Sequence, residues 1–309
     1  MPEPTQPSRG AAADEGLHLV DALTAEPLPE PKRRTRAQRL LRLVRDNKAA
    51  ATGITFIVVL VLASLFAPLP YGPEETDSSS TLEGPSGSHW FGTDATGADV
   101  FSRVIDAART DLSLALAGTA LSLVAGVLLG LAASTKGKGS ERLVRGLDAF
   151  QAFPLLILAL ALVSLSGNKL YMVVVAIGLI NIPRYMRLLR SEILSLREAR
   201  FIEAAIATGA SPVRITVRHI LPNTWGVILV QTSLTIANAI VVIASLSFLG
   251  VGVSASTASW GSMVRDGSGN MSSGEWWITT FPGIFIVLCV LSFNVLADAI
   301  GDRTSRSFR

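Results

Sequence analysis

Cysteine is nearly absent from this chain. Its 309 residues include one, Cys289, set inside an apolar run, so no internal disulfide can form and no thiolate cluster can bind a metal. Histidine is scarce too: His18, His89 and His219 are scattered and form no metal-ligand spacing. There is no GxxxxGK[ST] phosphate loop, which excludes ATP binding by the usual cradle, and no GxSxG nucleophile elbow. Net charge is only +3, too little to suggest nucleic acid. Charged residues make up 17% of the chain, against about 25% in an ordinary soluble domain. An enzyme has little to stand on, and a soluble domain is set aside.

The shortage of charge is uneven. Six apolar segments can be read, at roughly 50–70, 112–134, 149–167, 170–186, 225–250 and 281–300. Stretches of about 20 apolar residues span a bilayer core as helices, because lipid offers no partner for an open backbone. The expectation is an all-α integral membrane protein with six transmembrane helices, the fourth being the weakest, with 14 uncharged residues before Arg184. Basic residues set its orientation. With the N-terminus inside, 23 of the 27 Lys and Arg fall on the inner side and four outside, so both termini are expected in the cytoplasm. No apolar leader precedes the first span: residues 1–35 read as a polar, disordered cytoplasmic tail. Residues 36–49, with arginines among leucines, read as an interfacial amphipathic segment or a plain basic flank. The membrane body runs from 50 to 302, with 303–309 a second cytoplasmic tail.

Ionisable residues at membrane depth, which ion-coupled transporters use, are almost missing; Asp148 and Asp298 lie at span edges. The uncharged polar residues Asn181, Gln231, Asn238 and Asn294 could line a pathway or bond neighbouring helices. Outside, the 71–111 loop holds eight acidic residues against two arginines, and Trp276 and Trp277 sit where an interfacial aromatic belt is expected.

The inner loop at 184–224 contains "EAAIATGASPVRITVRHILPN", residues 203–223. Glu203, Ala204 and Ala205 offer a small, nearly flat face. Gly209 suits a helix C-cap, Ser211 an N-cap, and Pro212 a first helical turn, while Pro222 and Asn223 read as the stop of the second helix. The spacing predicts a helix–turn–helix hairpin at the membrane surface.

This stretch resembles the EAA loop of importer-type ABC permeases. "HWFGTDATGADVFSRV" (89–104), "LSFLGVG" (246–252), "SWGSM" (259–263), "FPG" (281–283) and "FNVLADAI" (293–300) resemble, in order, segments of the C-type permease subunit of the dipeptide/oligopeptide/nickel family. The likeness covers about residues 36–302. One departure is Ala98, where the family commonly has arginine.

The resemblance implies a permease of the bacterial cytoplasmic membrane. Its partners would be a homologous B-type permease, two cytoplasmic ATPases carrying the ATP and Mg, and an extracytoplasmic substrate-binding protein; the chain itself would bind no cofactor and no metal. Glu203, Ala204, Ala205, Thr208, Gly209, Ser211 and Pro212 would dock an ATPase. Trp90, Asp94, Asp99, Trp260 and Trp276 would help dock the binding protein. The substrate expected is a di- or oligopeptide. Nickel, glutathione-like and oligosaccharide substrates stay open, as does a secondary transporter or a channel from another class.

Overall fold

The computed structural model describes residues 47–135, 137–253 and 257–306. The tail at 1–35, most of the segment at 36–49, and the last three residues lie outside them. The described residues are helical, with one isolated bridge between Thr93 and Asp99. Helix α1 covers Lys48–Phe66, α2 Val100–Ala133, α3 Lys138–Phe150, α4 Leu155–Leu165, α5 Leu170–Arg197 and α6 Arg200–Ala207. Helix α7 runs Pro212–Phe248, α8 Trp260–Ser268 and α9 Trp277–Arg306.

Five of these, α1, α2, α5, α7 and α9, are long and apolar enough to cross a membrane. The strengths expected for the third and fourth spans reverse. The third is α4, only 11 residues, or about 17 Å. Pro154 accounts for this: it lacks an N–H and pushes Phe153 out of helical geometry, so 151–154 separates α3 from α4. The fourth is a continuous 28-residue helix with the buried Pro183 inside it. The 71–111 loop also ends earlier than expected. Asp99 caps α2 by accepting from Ser102 N at 2.8 Å, and helix begins at Val100.

Helices α2 and α5 pack along most of their lengths. Membrane helices gain little from burying apolar surface against each other, so close approach has to supply the attraction. Gly118, Ser122, Gly126 and Gly130 recur every fourth residue on one face of α2, and all are buried. A Cβ on Gly118 would lie 2.6 Å from Ile177, one on Gly126 would strike Tyr185, and one on Gly130 would lie 3.0 Å from Leu189. From α5, Gly178 receives Leu121 in the same way, at 2.5 Å. Together these remove the side chains that would hold the two helices apart.

Two apolar cores result. The larger joins α1, α2, α4, α5, α7, α8 and α9 and includes Leu60, Trp260 and Cys289. The smaller sits at the far end of α5 and α7, where Leu189, Ile193, Ile202, Ile215, Ile220 and Ile228 meet.

Candidate functional site

Ile202 anchors the hairpin. It is buried in the smaller core and ties the short α6 to α5 and α7. The helix before the hairpin is not one stretch: α5 ends at Arg197, and α6 restarts after Glu198 and Ala199. At its far end α6 closes in a Schellman motif. Gly209 has φ of +80°, its N–H donates to Ile206 O, and Ala210 N–H reaches back to Ala205 O at 3.1 Å. Ser211 then accepts from Arg214 N at 3.3 Å, with Pro212 in the first turn of α7. All of these bonds are local.

Pro222 does not stop α7. A π-helical turn over Thr216–Ile220 precedes it, and Leu221 N–H bonds to Thr216 O. A widened turn of this kind accommodates the missing proline N–H. Asn223 contributes as well: its side-chain amide donates to His219 O at 2.6 Å. The helix therefore continues from the hairpin straight into a membrane span.

The outer surface of the hairpin is open. Glu203, Ala204, Thr208, Gly209, Ser211 and Pro212 are exposed, and Ala205 is half-buried. Exposed beside them are Phe201, Ile206, Val213 and Val217. Phe201, Ala204, Ala205, Thr208, Ala210, Arg214, Arg218 and His219 line a cleft of about 460 Å³ between the arms. Among the described residues, no ion pair involves Glu203, Arg214 or Arg218.

The four polar residues proposed for a pathway divide. Asn181 is buried and occupied, donating to Ile177 O at 2.9 Å and accepting from Arg184 at 3.1 Å. Asn294 is half-buried on α9. Gln231 and Asn238 share one face of α7, seven residues apart, with Asn238 exposed. Ser245 continues that stripe by a further seven residues. The sequence reading missed it, although the heptad spacing was there to find. Gln231 also borders a groove of about 610 Å³ lined by Arg184, Arg187 and Arg190 of α5, which the sequence reading did not single out.

At the opposite end of α2 the chain folds a cap over residues 71–99. Asp99 bonds His89 Nδ1 at 2.9 Å, and His89 stacks on Tyr71 with centroids 4.6 Å apart. Asp94 pairs with Arg103 at 2.8 Å. Gly97, at φ +78°, packs so tightly on Asp77 that a Cβ there would collide with its carbonyl. Both the hydroxyl and the N–H of Ser79 bond Asp77, and they hold its carboxyl below the usual range. Trp277 donates to Thr93 O at 3.1 Å, and Phe91 stacks on Phe281 at 3.9 Å.

Two residues expected on a docking surface are buried. Asp99 is 3% exposed and Trp260 0%. Trp260 N donates to Asp111 at 2.9 Å and its indole N–H to Val104 O at 2.9 Å, so α8 is locked onto α2. Asp99 is committed to its cap and to His89. Neither offers a partner any surface: Asp99 ties the cap to α2, and Trp260 ties α8 to it. Asp94 is mostly buried, while Trp90 and Trp276 are about half exposed, at 58% and 49%.

Residues 122–309 match the family model of the binding-protein-dependent transport system inner membrane component. Residues 35–85 match the N-terminal TM domain of oligopeptide transport permease C. This chain belongs to the binding-protein-dependent permease family. Within that family it is similar to the dipeptide transport system permease protein DppC of Alkalihalophilus pseudofirmus, 38% identical over 92% of this chain and 96% of that protein. It is also similar to the probable D,D-dipeptide transport system permease protein DdpC of Escherichia coli, 33% identical over 92% and 96%. The fold resembles an inward-facing form of the MetNI methionine ABC transporter, with TM-score 0.55 and 15% identity over 66% of this chain and 97% of that one. The protein is thus a C-type permease of the peptide branch of ABC importers, a multi-pass inner-membrane protein.

Proposed function

We propose that this permease pairs with a homologous B-type permease to form a path for di- and oligopeptides. Two cytoplasmic ATPases, which carry the ATP and Mg, drive it through the 200–215 hairpin, and an extracytoplasmic binding protein delivers the substrate. The chain performs no catalysis of its own. Both termini and the hairpin face the cytoplasm, in line with 23 of 27 basic residues falling on that side.

One observation carries the reading. The hairpin is complete in its own backbone bonds yet leaves apolar side chains and unpaired charges on its outer surface. A surface of this kind needs a protein partner, and the small Ala204 and Ala205 let that partner's backbone come close. Exposed Trp90 and Trp276 remain the candidates for contact with the binding protein. The stripe Gln231, Asn238 and Ser245 is the candidate path face, since a span turned wholly to lipid has little use for it.

Replacing Gly209 with valine, or Ala205 with tryptophan, tests the hairpin. Each variant is expected to insert normally, to lose ATPase subunits on purification, and to lose peptide uptake. Uptake at the wild-type level in both would overturn the assignment.

A further inference from the structure

Arg184, Arg187 and Arg190 lie three residues apart on α5 and line one open groove. Gln231 of α7 and Val144 of α3 form its other walls. Like charges this close repel, and the chain compensates them sparsely. Arg187 meets Asp148 at 3.1 Å, and Arg184 gives one N–H to the Asn181 carbonyl oxygen at 3.1 Å. Arg190 Nε is buried with no hydrogen-bond partner. Each guanidinium carries five N–H donors in a planar fork, so most of the donors in this groove are unused. A desolvated, unpartnered donor beside two further cations calls for an anion.

Carboxylate and phosphate both fit such forks, and position chooses between them. Gln231 lines the groove and also begins the α7 stripe that Asn238 and Ser245 continue. The groove therefore borders the polar face of α7 at Gln231. Every linear peptide carries one terminal carboxylate whatever its side chains, so a single cationic site would serve any sequence. We propose that Arg184, Arg187 and Arg190 form a carboxylate-binding subsite for the C-terminus of a transported peptide. Its place on the transport route rests on reading that face as the path; its anion chemistry does not.

The chemistry can be tested without transport. The unfolding temperature of the purified full-length protein in detergent is measured with millimolar dialanine, dialanine amide, inorganic phosphate, or phosphatidylglycerol in the micelles. A ligand that binds only the folded state raises that temperature. Dialanine is expected to raise it and the amide to leave it unchanged. Arg190→Gln and Arg184→Gln should each weaken the apparent dialanine affinity about tenfold, the scale of one lost charge-assisted hydrogen bond. Arg190→Lys, which keeps the charge, should retain part of the response and serves as the control for folding.

An equal response to the amide, a response to phosphate alone, or no response to any probe would overturn the proposal. So would a phosphatidylglycerol effect that the arginine substitutions abolish while dialanine has none; the groove would then hold a lipid headgroup. Uptake by the reconstituted importer tests the location separately. Wild-type uptake in Arg184→Gln/Arg190→Gln, alongside a normal dialanine response in the unsubstituted protein, would place the site off the path. Loss of uptake with ATPase subunits still bound supports it, and differs from the hairpin variants, which lose those subunits.

Discussion

The two ends of α2 are finished in different ways. At the Trp260 end, segments far apart in sequence satisfy one another, Trp260 with Asp111 and Val104 and Trp277 with Thr93, and His89 and Asp99, ten residues apart, tie the cap to α2. At the Gly209 end the hairpin's hydrogen bonds span only a few residues, and among the described residues no ion pair meets Glu203, Arg214 or Arg218. The first end is closed by the chain itself. The second is held by a small isoleucine core and otherwise left open. The first end turns most of its polar groups inward, even those such as Ser102 Oγ and Arg103 Nε that stay without a hydrogen-bond partner, whereas the second turns its charges and apolar side chains outward. Order alone does not separate them; what separates them is which way the polar and apolar groups face.

Substitutions should break the two ends unequally. Trp260→Ala, which empties a fully buried site and removes the indole hydrogen bond to Val104 O, is expected to cost about 3–5 kcal/mol. A large fall in unfolding temperature, with loss of near-ultraviolet tryptophan signal, would show it. Asp99→Ala, which removes the α2 cap and strands His89, should cost about 1–3 kcal/mol by the same measurement. Ser211→Ala is expected to cost about 1 kcal/mol, and only locally. Hydrogen exchange at Val213 and Arg214 should quicken while the global unfolding temperature stays put. A global loss in Ser211→Ala equal to that of Trp260→Ala would erase the distinction between the ends.

What the sequence made legible follows the same division. Gly209, Ser211 and Pro212 could be read because a cap involves residues within a few positions of one another. The apolar spans could be read because lipid imposes their composition, but the third reads as running through Pro154, which in fact shortens α4 to Leu155–Leu165. Trp260 could not be placed, since its partners lie 149 and 156 residues away; the partners of Asp99, His89 and Ser102, are near in sequence, and its role as the α2 cap went unread. Pro222 misled for a related reason: proline ends helices by default, and only the π turn before it keeps α7 continuous. The glycine repeat on α2 was visible at every fourth position, but its meaning depends on Ile177, Tyr185 and Leu189 on the opposing helix.

The continuity of α7 has a mechanical consequence. At about 1.5 Å per residue, the rod from Pro212 to Phe248 is about 55 Å long. Thr232, held by the Tyr185 hydroxyl at 3.1 Å, lies near its middle. A tilt of about 10° around that point would carry the hairpin tip about 5 Å one way and the Phe248 end about 4 Å the other. Helix α7 thus ties the hairpin to the span as one rod, with Thr232 half-buried against α5 near its middle and its hairpin arm seated on the isoleucine core.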